Sequence, residues 1–294
     1  MCRFALYLGT EVRISRLVTD PVNSIIHQSF HSHLRSEPLN GDGFGLAWYP
    51  ADRRETPALF KSTTPAWSDQ NLREMARVTE ARCLLAHVRA ATEGLAVSRL
   101  NCHPFAHGHL TLMHNGHWGG FRELRQRLLG ALSPRAFHAI GGTTDSEHIF
   151  ALLLDTLEAT PRGGDATERL STAVEGTIAR LEALGREAGI EEPSFLNLAV
   201  SDGERAVVTR YSTGTAPTNT LYVNTGRLYT CGEGLCRLED EGSTPSAVVV
   251  ASEPLDDDAR WRAVPPGSLL SITPELGLSI RRIDGGSTNL CKLP

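Results

Sequence analysis

Short apolar runs crowd the two ends of this chain, and long helical patterns separate them. That order limits the architecture more than any other feature. Residues 3–8, 44–48, 59–61, 82–89 and 110–114 are apolar runs bounded by glycine, proline or charge, the pattern of strands. The last of these runs into Asn115-Gly116, a turn signal. Residues 68–78 read as a helix with Ser68 as N-cap and Leu72, Met75 and Ala76 on one face. Residues 121–132 and 145–157 read as two more helices, the second starting near Thr144 or Asp145. Beyond Gly163-Gly164 a long helix is predicted over 166–188, with Leu170, Val174, Ile178, Leu181 and Leu184 as its apolar stripe. Strands then return at 195–200, 206–211, 221–223, 228–231, 247–251, 268–272 and 278–282. Strands, helices and strands again predict an α+β fold of layers with antiparallel sheets. No repeat, low-complexity tract or linker interrupts the 294 residues, so one domain over 1–294 is expected.

Composition removes several function classes. A net charge of −5 gives no electrostatic footprint for nucleic acid. No apolar run approaches the roughly 20 residues that span a bilayer. Arg3 interrupts the first apolar stretch, which is not the pattern of a signal peptide, so a cytoplasmic protein is expected. The six cysteines, at 2, 83, 102, 231, 236 and 291, form no CxxC pair. Cys231 and Cys236 lack a second pair at zinc-ligand spacing, and disulfides are not expected in a reducing compartment. His103, His107, His109, His114 and His117 crowd one region but fall on loops and around a turn, so no metal and no cofactor are expected.

Cys2 is either a chance second residue, since many chains begin Met-Cys, or a nucleophile. Methionine aminopeptidases remove Met1 before a small residue. The new terminus would then hold a thiol and a free α-amine on one residue. The thiolate is the nucleophile. The amine, with a typical pKa of roughly 7.7–8.0, can take its proton. Nucleophile and base then coincide, which is one way to activate a weak attacking group.

Four further segments suit the same chemistry. His87-Val88-Arg89 puts an arginine at a strand end, where it can grip a carboxylate with two parallel hydrogen bonds or form a surface ion pair. Asn101-Cys102-His103-Pro104-Phe105 is a loop whose shape proline restricts. Asn115 and Gly116 offer an amide and a backbone N–H that can hold an oxyanion or simply make a turn. Asp145 can cap its helix or bind a substrate ammonium.

In this order the segments resemble the class II glutamine amidotransferases, a family of N-terminal-nucleophile hydrolases. The likeness covers at least Cys2 to Glu147. It implies a four-layer αββα sandwich with antiparallel sheets. It implies Cys2 as nucleophile, Asn115 and Gly116 as oxyanion hole, Arg89 for the glutamyl α-carboxylate, Asp145 for the α-amine, and Thr92 and His103 as further substrate contacts. Asn40-Gly41-Asp42-Gly43-Phe44-Gly45, Thr64-Pro65-Ala66-Trp67 and the Asn101–Phe105 loop resemble the glutathione-degrading branch. That branch implies hydrolysis of a γ-glutamyl amide in glutathione or a related thiol compound, and it works with a metallopeptidase-like protein partner. Ser252-Glu253-Pro254-Leu255 extends the likeness towards the C-terminus. Three rival readings stay open: a γ-glutamyl-hercynylcysteine sulfoxide hydrolase, a glutaminase subunit supplying ammonia to a separate synthase, and an inactive binding protein on the same fold.

Overall fold

The computed structural model describes residues 2–34, 39–49, 56–91, 96–226, 228–232, 235–239, 245–283 and 290–291. Strand β1 (Arg3–Arg13) lies mid-sheet, antiparallel to β12 (Ala247–Ala251) on one side and β4 (Glu80–Val88) on the other. Beyond β4 come β2 (Phe44–Tyr49) and β3 (Ala58–Ser62). Beyond β12 come β9 (Tyr222–Gly226) and β13 (Arg262–Ala263). A second antiparallel sheet has the order β16 (Leu290–Cys291), β15 (Leu278–Arg282), β14 (Ser268–Ile272), β8 (Ala206–Arg210), β7 (Phe195–Ser201), β6 (Leu110–His117) and β5 (Phe105–His107). β10 (Leu228–Gly232) and β11 (Leu235–Glu239) pair as a separate hairpin.

The first apolar run is continuous because β1 is covered on both faces. Successive strand residues point to opposite sides. Phe4, Leu6 and Leu8 pack with Met113, Ala199 and Val208 of the second sheet. Ala5 and Tyr7 join Leu17, Ile25, Ile26, Leu72 and Ala76. Those residues belong to α1 (Ser15–Val18), α2 (Ile25–Phe30) and α3 (Gln70–Val78). The far face of the second sheet, with Leu112, Leu196, Leu198 and Val207, is covered by three helices. These are α4 (Phe121–Ala131), α6 (Asp145–Ala159) and α7 (Ala166–Ala188), with the short α5 (Pro134–His138) against α6. Helices, sheet, sheet and helices make the expected four-layer α+β sandwich.

The long helix occupies the span its apolar stripe predicts. Asp165 caps it by accepting the Thr167 N–H at 3.0 Å, and Gly189 closes it in the left-handed conformation at φ 69°. Two local expectations are corrected. Ser68 does not cap α3. Its hydroxyl donates back to the Pro65 carbonyl at 2.9 Å, and Asp69 accepts the Leu72 N–H at 2.8 Å instead. Nor do Asn115 and Gly116 form a turn. β6 continues through them, pairing Asn115 with Asn197 and Gly116 with Leu196. The glycine serves close approach, since a Cβ there would lie 1.8 Å from the Phe195 carbonyl oxygen. Helix α2 was not expected from periodicity. Ser24 starts it by accepting the His27 N–H at 3.3 Å.

Leu6 is fully buried between the sheets, whereas Leu59 is 40% exposed. Leu6→Ala is therefore expected to cost about 2–5 kcal/mol. Leu59→Ala should stay within roughly 0.5 kcal/mol. Urea denaturation midpoints of the two variants against wild type check this.

Candidate active site

Cys2 immediately precedes the first residue of β1 and is nearly buried. Its thiol donates to the Ala90 carbonyl at 3.6 Å, which ties it to the segment leaving β4. Its own carbonyl accepts the Arg3 Nη1 at 2.9 Å, while Arg3 Nε meets Glu253 Oε1 at 2.7 Å. Phe4 N–H donates to the Ser252 hydroxyl at 3.1 Å, and Ser252 N–H donates to the Phe4 carbonyl at 2.9 Å. The start of the chain is thus held by a pair of residues some 250 positions away.

Arg89 follows the last residue of β4 and is 3% exposed. The Asn40–Gly45 segment grips it through the backbone. Arg89 N–H donates to Gly43 O at 2.9 Å, Asp42 N–H donates to Arg89 O at 3.0 Å, and Asp42 Oδ2 accepts the Ala91 N–H at 2.8 Å. Gly43 has φ +101°, and a Cβ there would lie 2.7 Å from Ser62 O, so this grip needs glycine. Arg89 Nη1 is buried and has no partner among the described residues. An unpaired buried donor on a charged group is costly. A ligand carboxylate is the group that would satisfy it.

The histidines near Arg89 are held neutral. His103 stacks on His87 with ring centroids 4.1 Å apart and meets Phe105 edge-on at 4.7 Å. Burial drives His87 down to about 3 and His103 well below the usual imidazole range, with nearby cations adding to the effect. His87 Nε2 faces the His114 carbonyl at 3.2 Å, so that nitrogen carries the proton. Neither ring nitrogen of His103 has a partner among the described residues. His114 is also lowered by burial. Its Nε2 donates to Phe195 O at 2.8 Å, which leaves Nδ1 to accept the Ser146 hydroxyl at 2.9 Å.

Asp145 opens α6, but the cap is Thr144, which accepts the Glu147 N–H at 3.2 Å. Asp145 Oδ2 accepts the Trp118 N–H at 2.8 Å, and Oδ1 accepts the Ser146 N–H at 2.7 Å. A carboxylate offers about four lone-pair positions, so capacity remains for an ammonium. Asn115 Nδ2 lies 3.4 Å from the Ser252 hydroxyl, and Oδ1 has no partner among the described residues.

A cavity of about 620 Å³ brings Cys2, Arg89, His103, Gly116 and Asp145 into one lining. Asn115 is fully buried and is not part of that lining. Thr92 lies outside the described residues. Trp118, Phe121, Arg122, Arg125 and Glu192 also line the cavity, and the sequence analysis did not single them out. They follow the Asn115-Gly116 pair or lie just before β7, so a search of the residues flanking that pair would have found most of them. His107 and His109 are not in the lining. Among the described residues no group of three or more His, Cys, Asp or Glu is arranged to hold a metal ion. No described helix is long and apolar enough to cross a membrane.

Comparison with known proteins agrees with this geometry. Residues 17–275 match the family described as class II glutamine amidotransferases. The chain is 40% identical over 292 residues to the probable glutamine amidotransferase DUG3 of Saccharomyces cerevisiae, covering 92% of this chain and 82% of that protein. It is 28% identical over 285 residues to the γ-glutamyl-hercynylcysteine sulfoxide hydrolase of Mycobacterium tuberculosis, with 97% of each chain covered. A glutamine aminotransferase class-II domain protein from Silicibacter pomeroyi superposes with a TM-score of 0.66 at 30% identity, over 96% of this chain and all of that one. The glutamine phosphoribosylpyrophosphate amidotransferase of B. subtilis shares the fold, with a TM-score of 0.59 at 18% identity, over 97% of this chain and half of that one. The chain belongs to the class II glutamine amidotransferases.

Proposed function

We propose that this protein hydrolyses a γ-glutamyl amide through a γ-glutamyl thioester on Cys2, with glutathione or a related γ-glutamyl thiol compound as substrate. One observation carries the reading. A nearly buried thiol, a buried guanidinium with an unpaired Nη1 and a carboxylate with spare acceptor capacity line the same cavity. A γ-glutamyl amide offers the complementary set: a carboxylate, an ammonium and a carbonyl at a fixed distance from both. Arg89 takes the α-carboxylate and Asp145 the α-ammonium. Holding both ends places the amide carbonyl at Cys2 and lowers the entropic cost of attack.

The α-amine of Cys2, exposed when Met1 is removed, takes the thiol proton as sulfur attacks. Gly116 N–H and Asn115 Nδ2 stabilise the oxyanion, and Ser252 Oγ orients the Asn115 amide by accepting from Nδ2 at 3.4 Å. The ammonium of Cys2 then protonates the departing amine. Water attacks the thioester, with the amine again as base, and releases glutamate. The neutral His87–His103 stack leaves Arg89 as the charged group facing the substrate carboxylate.

Substrate choice follows from the cavity and from the segments that resemble the glutathione-degrading branch. Its volume falls in the range that holds whole small ligands. Trp118, Phe121 and Arg122 widen the lining beyond the residues assigned to the glutamyl group. A leaving amine larger than ammonia can use that room, and its binding energy can act in the transition state.

Three outcomes are expected. Among glutamine, glutathione, γ-glutamyl-cysteine and γ-glutamyl-hercynylcysteine sulfoxide, the second or third should have the highest kcat/KM. Glutamine as the best substrate would make the chain a glutaminase subunit, and cleavage of the sulfoxide alone would assign it to the hercynyl branch. Arg89→Lys should raise KM roughly tenfold or more with a smaller fall in kcat, because lysine keeps the charge and loses the two-pronged grip. Steady-state kinetics on the best substrate read this. Cys2→Ala, and a variant that retains Met1, should both lose several orders of magnitude in rate while melting near wild type. Full activity in a protein whose intact mass includes Met1 would sink the mechanism.

A further inference from the structure

The backbone ladders that hold β1 stop short of the residue proposed as nucleophile. On the β12 side the last paired positions are Ala5 and Ala251, and on the β4 side they are Arg3 and Val88. Ser252 extends the first ladder by one step, with its hydroxyl receiving the Phe4 N–H in place of a carbonyl. Cys2 itself lies beyond both ladders. Its carbonyl is held by Arg3 Nη1, and the Arg3 Nε is held by Glu253. The other Glu253 oxygen accepts the His33 N–H at 2.9 Å, anchoring the carboxylate to the segment after α2. The Arg3 and Glu253 side chains are 4% and 1% exposed.

We propose that Glu253 is a positioning residue for the nucleophile: through Arg3 it fixes the Cys2 carbonyl, and with it the direction of the α-amine and the thiol. A buried ion pair is weak evidence of stabilisation, because an apolar pair of similar volume often serves as well. What an apolar pair does not supply is direction. A guanidinium presents donors along several fixed vectors, so one arginine can face a carboxylate and a backbone carbonyl together. Lysine, with one ammonium, does not span both in the same geometry. The pair has a second consequence. Glu253 neutralises Arg3, whereas Arg89, which lines the same cavity as Cys2, has a buried Nη1 with no partner among the described residues. Without Glu253, two cations would face the Cys2 amine and thiol.

The inference rests on Cys2 being the nucleophile, and its test separates the two claims. Alkylation of Cys2 by iodoacetamide, followed against pH on the N-terminal peptide by mass spectrometry, needs no substrate. Glu253→Gln keeps the side-chain volume and removes the charge. Its alkylation midpoint should fall by roughly one pH unit, because an uncompensated Arg3 favours the thiolate. The other charged or titratable groups around Cys2 are unchanged in this variant, among them Arg89 after β4, Cys102 and His103 in their loop, His114 and His117 on β6, Arg122 and Arg125 on α4, and Asp145 on α6. A purely structural role would slow alkylation at every pH without moving the midpoint. Arg3→Lys should lower kcat about tenfold or more, with KM within twofold of wild type, because the groups that grip the glutamyl end are untouched. It should leave the midpoint in place. If Glu253→Gln does not fold, the Arg3→Lys kinetics decide. An unmoved midpoint in Glu253→Gln, or an Arg3→Lys enzyme with wild-type kcat, would overturn the proposal. A wild-type protein that turns over no γ-glutamyl amide would refute the proposed activity, and the alkylation midpoint would still decide the role of Glu253.

Discussion

The pairing of β1 between β12 and β4 is the constraint on which the rest depends. Cys2 lies outside both ladders and immediately precedes β1. Here it is placed because the strand that follows is the middle of a sheet, covered on one face by a second sheet and on the other by helices. Ladders on both sides set the register of Arg3 to Leu8. A one-residue slip would turn Phe4, Leu6 and Leu8 out of the space between the sheets. Register and burial therefore fix where Cys2 emerges, and the Arg3–Glu253 pair fixes how it points.

The same low-polarity interior sets the charges of the site. His87 and His103 lie beside Arg89, and burial pushes both of them, and His114 with them, below the usual imidazole range. Even Lys61, over the Phe105 ring at 5.0 Å, is pushed down to about 8, mainly by burial. Arg89 is the buried arginine of the lining, with an open Nη1 donor, in a cavity that also carries Asp145. That asymmetry suits one end of an amino acid, which bears one carboxylate and one ammonium.

Most of the architecture was legible because its elements follow simple periodicities. The helix at Ala166–Ala188 shows its stripe, and Asp165 and Gly189 mark its ends. Strand β12 is a continuous apolar run because both faces are buried. Local signals failed where tertiary contact overrode them. Asn115-Gly116 has the composition of a turn, but β7 pairs through it, and the glycine answers the approach of Phe195. Ser68 is a good cap residue whose hydroxyl was already engaged with Pro65. At the site, Cys2, Arg89, His103, Gly116 and Asp145 line one cavity, although they lie far apart in sequence. Glu253 could not be matched to Arg3 by pattern, because two charges 250 positions apart carry no periodic signal. The aromatic and charged wall at Trp118, Phe121 and Arg122 reads in sequence as an ordinary helix start.

The account stands or falls on what becomes of Cys2 during turnover. The most direct measurement is acid quenching of the wild-type protein within its first turnovers on a γ-glutamyl substrate, followed by mass spectrometry of the N-terminal peptide. The account predicts a peptide that begins at Cys2, lacks Met1 and carries a γ-glutamyl group on the thiol. An active protein that retains Met1, or an adduct on Cys102 in place of Cys2, would contradict it.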